Sequence, residues 1–509
     1  MTPEEQINYL ISNPDELIKK VPFTRGMKTI VEKDWNSSVR VGEAVRAELP
    51  TYERVPVSQS TFAKELDPAC HKVLFDDNIP SITAKTDDGS YVEIEFKKMS
   101  IPFQKMIRNA HVRHLCGHDV QFTPNNQDPT DIQRQDFATF KQFWKDRNQG
   151  GMRTKLVSAQ MSCGDAGLLY YFDRNGHIKS RLISYEDGYV LCPHNDSNGD
   201  RLIESVYYRV GDMEYIDSYT DTLQYRHVRN ISDSKHRGWS LEIDGTPHGF
   251  KEIPLITKRG DVPWSAVQDT IEVYEIIYNI FLVIQKRHGW GILYIKGNFN
   301  EKARKLAGAV VLNDTSLNKD GSAQYLTPPS PQGMLDTLKA MEETIEKGSG
   351  TTFILPKDIS TASDISGVAV EISQSLDNEE ALMGVIEWQN VASKMSRLFK
   401  YGLAMELVNN GDKTAVTRFD DLSISAAFKQ WKPRNDTEYN NMLISLAGAG
   451  ILSKKTGIEK NTESTPDEEM RMVQQEEEER HLAMEQSQSE TPELVSGTGE
   501  EKSDGQETS

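Results

Sequence analysis

The stretch "IEVYEIIYNIFLVI", from Ile271 to Ile284, is the most apolar window of the chain and decides its fold. It is 14 residues long and carries Glu272, Glu275 and Asn279, whereas a helix that spans a membrane needs about 20 apolar residues. Apolar side chains lie on nearly all faces of the helix predicted over 266–287, and such a helix must be buried on all sides. The stretch therefore predicts a deeply buried helix and no membrane span.

Helices are predicted on both sides of this stretch. Apolar residues recur at helical spacing over 97–115, and further helices are predicted over 131–146 and 333–347. The longest helical pattern runs over 368–408 and would span about 60 Å at about 1.5 Å per residue. Its apolar positions are spaced by three or four residues: Leu382, Val385, Trp388, Ala392, Met395, Phe399 and Leu403. Such an element crosses between structural units or packs against neighbouring subunits.

Strands are predicted in two regions. Alternating residues over 167–257 indicate an antiparallel meander, and "DRNG", ending at Gly176, predicts a hairpin turn. A smaller piece at 289–330 combines strands with a helix near 301–308. The chain is therefore predicted to be an α+β protein.

Charge is unevenly distributed along the 509 residues. The net charge is −19, and the segment from Asn461 to Ser509 holds 15 acidic and 3 basic residues. The body is only mildly acidic as a result, and it has no concentrated basic patch of the kind that grips nucleic acid. A chain of this length is expected to form two to four structural units.

The N-terminus predicts neither a signal peptide nor a transit peptide. The four cysteines form no CxxC pair and no dense disulfide framework, which favours a reducing cytoplasm. They are Cys70, Cys116, Cys163 and Cys192.

Residues 445–457, "SLAGAGILSKKTG", superficially resemble a phosphate-binding loop. The motif requires G-x-x-x-x-G-K-[ST] after a strand. When the motif is counted from Gly448, its second Gly falls at position 453, which is Ser453. Its Ser or Thr falls at position 455, which is Lys455. We interpret Gly448 and Gly450 as a helix C-terminal break and Ser453 as the N-cap of the next helix.

Other chemical motifs are equally weak. "HLCGH" (His114, Cys116 and His118) has no second cluster at zinc spacing, so a helix end followed by a strand is the preferred interpretation. No nucleophile elbow, H-E-x-x-H motif or recognisable pair of catalytic carboxylates is present. We expect no enzymatic activity, no catalytic or metal site and no cofactor.

Four segments, in this order, resemble the SPP1-type portal proteins of tailed bacteriophages. They are "RNAHVRHLCGHDVQFTPNN" (108–126), "GLLYYFDRNGHIKSRLISYEDGYVL" (167–191), "DISGVAVEISQSL" (364–376) and the stretch from "FKQWKPRND" to "QQEEEE" (428–479). The resemblance spans roughly residues 90 to 480. One departure is Val370, where the family usually has Leu.

The resemblance implies a portal fold that forms a ring. An α/β wing would cover 1–263, an α-helical stem 264–288 and 333–347, and a small α/β clip 289–332. A tunnel loop would cover 348–366, and a long spine helix with a return to the wing would cover 367–429. An α-helical crown would follow at 430–485. The last residues, 486–509, are polar and acidic without aromatics and are expected to be disordered.

The resemblance also implies the function and the partners. About twelve subunits would form a homo-oligomeric ring at one capsid vertex of the virion, assembled in the host cytoplasm, and double-stranded DNA would pass through it during packaging and ejection. The terminase large subunit, major capsid protein, scaffolding protein and head-completion adaptor protein would bind it. Alternatives are another virion ring or minor capsid adaptor, or a DNA-processing enzyme or packaging ATPase.

Two groups of residues follow from this assignment as candidate sites. The tunnel loop would present small polar and charged side chains to the DNA: Thr352, Lys357, Asp358, Ser360 and Thr361. The stem helix would pack against its neighbours in the ring through Ile276, Ile277, Ile280, Phe281 and Ile284.

Overall fold

The computed structural model describes most of the chain. The described residues are 2–29, 52–79, 82–85, 91–94, 96–125, 129–232, 238–288, 292–296, 304–306, 309–311, 322–326, 332–353, 375–428, 436–453, 457, 473–475 and 478.

Eleven helices are assigned among these residues. They are α1 Pro3–Ser12, α2 Pro14–Leu17, α3 Gln59–Leu66, α4 Phe103–Cys116, α5 Asp131–Asp146, α6 Gln149–Cys163, α7 Gln268–His288, α8 Gln332–Ser349, α9 Ser375–Asn409, α10 Ala415–Asp421 and α11 Asp436–Gly448. Two short 3-10 turns cover Pro68–Cys70 and Lys72–Phe75.

Eighteen strands are assigned among the same residues. They are β1 Phe23–Thr29, β2 Tyr52–Val57, β3 Ile82–Lys85, β4 Tyr91–Ile94, β5 Gln121–Pro124, β6 Asp165–Phe172, β7 Ile178–Ser184, β8 Tyr189–Asn195, β9 Arg201–Val210, β10 Met213–Tyr219, β11 Leu223–Asn230, β12 Ser240–Pro247, β13 Leu255–Arg259, β14 Ile292–Lys296, β15 Arg304–Leu306, β16 Ala309–Val311, β17 Ser322–Leu326 and β18 Ile424–Ala427. The mixture of helices and small sheets confirms the α+β class.

The chain divides into two compact units. The first comprises Met1–Thr361 with Ser373–Lys432, and the second comprises Ala362–Ile372 with Pro433–Ser509. In the second unit, α11 ends at Gly448, and Gly450 has a positive φ of 71°. That geometry confirms the helix C-terminal break predicted from the two glycines.

The predicted meander is confirmed as two antiparallel sheets in the first unit. One has five strands in the order β12-β11-β10-β9-β8, and the other has three in the order β13-β6-β7. The predicted hairpin turn joins β6 to β7, with Gly176 at φ +77°. Apolar residues from both sheets, together with Ile253 just before β13, form one buried cluster: Ile183, Leu191, Val206, Tyr219, Ile253 and Leu255.

The largest core of the first unit lies between helices and the three-stranded sheet. Helix α9 contributes Trp388 and Phe399, α5 contributes Phe140 and Trp144, and β6 contributes Tyr170. Each large apolar side chain that is buried contributes about 2 kcal/mol to the free energy of folding, so this cluster is a major source of stability. The long helix predicted over 368–408 is observed over Ser375–Asn409, 35 residues, and its predicted first residues, 368–374, lie outside the described residues.

Two sequence predictions needed correction, and one helix of 15 residues was not predicted. The helix expected over 97–115 begins only at Phe103, because the preceding residues bond to α7 instead. Helix α6 was not predicted, since its first turn contains Gly150 and Gly151. The prediction of a helix near 301–308 is wrong for residues 304–306, which are described. These residues form strand β15, which pairs with β16.

Candidate functional site

Two buried polar residues fix the apolar helix α7 to the rest of the first unit. Glu275 is 2% exposed and Asn279 is 0% exposed. The Glu275 carboxylate accepts a hydrogen bond from the Ile101 N–H at 2.7 Å. The Asn279 amide accepts from the Met99 N–H at 2.8 Å and donates to the Met99 carbonyl at 2.7 Å. Polar residues that interrupt the apolar pattern therefore hold residues 99–101 against the helix.

His71 completes the shell around Glu275. Its Nδ1 lies 2.7 Å from the Glu275 carboxylate, and its Nε2 lies 2.8 Å from the Glu65 carbonyl. Burial favours the neutral imidazole, but the hydrogen bond to Glu275 and the carboxylate charge outweigh burial and raise the pKa of His71. The protonated ring then donates hydrogen bonds from both nitrogens, and its positive charge balances the negative charge of the buried Glu275 carboxylate.

Glu65 extends this network towards the N-terminal strands. Its carboxylate forms a bidentate ion pair with Arg25, at 2.7 and 2.8 Å. The same carboxylate accepts a hydrogen bond from the Trp264 indole at 2.9 Å. Segments distant in the sequence are thereby joined around the start of α7.

Helix α7 also packs against α4 and α8. Ile271 and Tyr274 lie in a buried cluster with Ile107 of α4 and with Leu338 of α8. The Tyr274 hydroxyl donates a hydrogen bond to Glu342 of α8 at 2.5 Å. The two helices predicted as stem helices therefore pack together within one chain.

The five residues predicted for subunit packing separate into two groups. Ile277 and Phe281 pack against the cluster with α4 and α8, and Ile276 packs against a second cluster around Val283. Ile280 and Ile284 are partly exposed and belong to no buried cluster among the described residues.

Val273, 48% exposed, lies on the same face of α7 as Ile280 and Ile284. These three residues, separated by seven and four positions, form what we call the α7 stripe. The role of Ile280 and Ile284 in subunit packing stays a prediction.

The described residues after α8 fix the start of the predicted tunnel loop. The Thr352 N–H donates to the Asp377 carboxylate at 3.0 Å, and the Phe353 N–H donates to the Glu346 carboxylate at 2.6 Å. His111 of α4 bonds to the Ser349 carbonyl at 2.9 Å. Of the predicted loop residues, only Thr352 is described. The other four lie outside the described residues: Lys357, Asp358, Ser360 and Thr361.

Asp377 is the residue in this region that sequence reasoning missed. It lies in the first turn of α9 and is buried, and its bond to Thr352 brings the two ends of segment 354–374 together. The sequence signal was an acid at a helix N-terminus, which usually indicates only a favourable interaction with the helix dipole. Its loop partner, 25 positions earlier, could not be inferred from that signal.

Helix α9 also carries exposed apolar residues near its start. Leu382, Met383 and Ile386 are 55%, 60% and 62% exposed. Leu382 and Ile386 are one turn apart, so they lie on one face of the helix. We call these three residues the α9 patch.

The described part of the chain offers neither a membrane-spanning helix nor a metal cluster. None of its helices has the length and apolar character needed to cross a membrane. None of its clusters of His, Cys, Asp or Glu has three or more members placed to hold a metal ion. "HLCGH" is, as predicted, the end of α4 followed by β5.

The chain was compared with curated proteins, solved structures and protein families. No curated protein matches the chain significantly. A solved structure, the "Neck of empty GTA particle computed with C6 symmetry", is similar over 70% of this chain and 88% of its own, with 11% identity and a TM-score of 0.37. A score that low does not establish a shared fold.

The family described as "Phage portal protein, SPP1 Gp6-like" matches residues 92–481. This range agrees with the one that carries the sequence resemblance, and it includes α7, α8 and α9 in full. Since the match covers far more than half of the 509 residues, the chain belongs to the SPP1 Gp6-like family of phage portal proteins.

Proposed function

We propose that the chain is the portal protein of a tailed phage. About twelve copies form a closed ring at one capsid vertex, and double-stranded DNA enters and leaves through the channel of the ring. The match over residues 92–481 carries this proposal. The chain then acts as a structural conduit and docking platform, and it catalyses no reaction itself.

The surface of the stem and spine helices supports ring formation. The α7 stripe is apolar and partly exposed, although the same helix is firmly anchored on its other sides by Glu275 and Asn279. A closed ring gives every copy two neighbours, so an apolar face exposed in one chain becomes buried. The α9 patch is likewise apolar and exposed in one chain, so it too can become buried against a neighbour.

Charge supports a conduit. The chain has a net charge of −19, and weak or repulsive contact with phosphates lets DNA slide, whereas many Lys and Arg contacts would hold it. In this proposal the terminase large subunit docks during packaging, and the head-completion adaptor docks afterwards. The scaffolding protein and the major capsid protein surround the ring, which is assembled in the host cytoplasm and remains in the virion.

Ring formation through α7 is tested by Ile280→Asp. Placing a carboxylate in an apolar interface costs several kcal/mol, so we expect native mass spectrometry to show loss of the ring. Ile132→Asp is the matched control, because Ile132 is an exposed apolar residue of a different helix, α5, and its rings should persist. Rings of normal size in the Ile280→Asp variant would refute the role of the stripe. A wild-type protein that stays monomeric at high concentration would refute the ring itself.

The predicted tunnel loop is tested by Lys357→Ala. We expect rings of normal size but an altered rate or completeness of DNA packaging, because a side chain that touches the moving DNA is removed while the ring interface is untouched. The measurement is the length of packaged DNA per particle, in phage that lack their own copy of this protein and receive the variant from the host cell. Unassembled protein would instead show that this residue is structural.

A further inference from the structure

Three tyrosines form a row across the five-stranded sheet. Tyr189 on β8 lies opposite Tyr208 on β9, and Tyr208 lies opposite Tyr215 on β10. The rings of Tyr208 and Tyr215 are nearly parallel, with centroids 5.1 Å apart, and the Tyr189 ring lies 5.3 Å from that of Tyr208. All three residues are partly exposed, and Tyr189 and Tyr208 also pack with part of their rings against the buried cluster around Leu191 and Val206. Together with Arg181 they form what we call the tyrosine face.

Arg181, an exposed residue of β7, ends this row. Its guanidinium carbon lies 4.8 Å from the centroid of the Tyr189 ring, and its Nη2 donates a hydrogen bond to the Tyr189 hydroxyl. Stacking on an aromatic ring fixes the orientation of the guanidinium while leaving its charge available.

The charge of Arg181 distinguishes it from the arginines of the neighbouring sheet. Each arginine of β9 and β11 has a carboxylate partner: Arg201 with Glu204, Arg209 with Asp212, Arg226 with Asp217, and Arg229 with Glu214. No carboxylate of the described residues forms a salt bridge with Arg181, whose contacts are with Tyr189. The tyrosine face therefore presents one cation that the described part of the chain does not neutralise.

We propose that the tyrosine face binds a segment of another protein that presents a carboxylate next to a large apolar side chain. The carboxylate pairs with Arg181, and the apolar group lies on the rings of Tyr208 and Tyr215. Tyrosine and arginine are the residues that most often dominate binding energy at protein interfaces.

The tyrosine face is also organised before binding. The Tyr208 hydroxyl donates to Asp217 at 3.2 Å, and the Tyr208 and Tyr215 rings are stacked. Little side-chain entropy is lost when a partner binds to groups that are already fixed. A nucleic acid fits less well, because binding to its phosphates requires several cations.

Direct binding of a defined probe tests this proposal. The full-length protein is titrated into a labelled heptapeptide in which Asp and Phe alternate, and fluorescence anisotropy reports binding. We expect Arg181→Glu, Arg181→Gln and Tyr215→Ala each to weaken binding by about tenfold. Arg174→Glu is the matched control, because Arg174 is an exposed arginine of the β6–β7 turn, and it should bind as wild type does.

Two further peptides test the chemistry of the partner. Replacing every Asp of the probe by Lys, or every Phe by Gly, should also weaken binding by about tenfold. Equal binding by wild type and both Arg181 variants, or no binding of the Asp–Phe peptide at millimolar concentration, overturns the proposal. The proposal is also overturned if a labelled DNA duplex binds to the wild-type protein and the Arg181 variants weaken that binding to the same extent. The tyrosine face lies on strands that the proposed ring interface does not use, so ring size is an independent readout.

Discussion

The Glu275 carboxylate lies in the interior, where an unpaired charge costs several kcal/mol. The His71 imidazole offsets that cost while it is protonated. Since the pKa of His71 is raised in the folded chain, the pair stabilises the fold fully below about pH 6.5, the ordinary histidine pKa. The contribution is lost as the pH rises through the raised value.

We predict that His71→Gln lowers the free energy of unfolding by about 3 kcal/mol at acidic pH, because Glu275 loses its charged partner. The loss relative to wild type should shrink as the pH rises, and thermal unfolding over a pH series measures it. His194→Gln is the control, since His194 bonds to the Leu17 carbonyl and not to a carboxylate. Parallel pH profiles for wild type and His71→Gln would contradict the prediction.

Single residues also show where sequence analysis stops. Glu275 and Asn279 interrupt the apolar pattern of α7 and predict a helix too polar to cross a membrane. Their partners could not be predicted, because His71 is 204 positions away from Glu275 and Met99 is 180 positions away from Asn279. Only the fold brings such residues together, so the hydrogen bonds that hold α7 in place had no sequence signal beyond two polar residues in an apolar pattern.

Among the elements, α5 and α6 show why one helix was predicted and another was not. The observed bounds of α5 match those predicted, since Thr130 and Gln133 form a capping box and the apolar residues recur regularly. Helix α6 begins after Asn148, which has a positive φ of 49°, and contains two glycines in its first turn. Burial of Leu156 and Val157 outweighs this poor local propensity.

At the start of α9, we predict that Asp377→Ala speeds hydrogen exchange of the Thr352 amide by about tenfold, because the amide loses its acceptor. Asp377→Asn is the matched control. It removes the charge but keeps a side-chain oxygen that can accept the same bond, so the protection of Thr352 should be largely retained. Unchanged exchange in Asp377→Ala would show that the bond does not hold the two ends of segment 354–374 together.

For the whole molecule, the positions of the exposed apolar side chains say more about assembly than the average composition does. Hydrophobic residues make up 37% of the chain, which alone predicts an ordinary polar protein. The α7 stripe and the α9 patch nevertheless leave large apolar side chains exposed on helices that are otherwise well packed. Contiguous apolar surface of this kind usually marks a protein interface.

We predict that Ile386→Asp destabilises the assembled ring without destabilising the single chain. Ile386 is 62% exposed in one chain, so its replacement removes little burial within that chain. In a ring the change recurs at every interface, and losing about 2 kcal/mol at each one shifts the assembly strongly towards free subunits. Sedimentation velocity over a concentration series measures the assembly, and thermal unfolding of the dissociated protein measures the chain. Val21→Asp, at an exposed apolar residue outside both groups, is the control. Rings as stable as wild type would show that the α9 patch faces something other than a second copy.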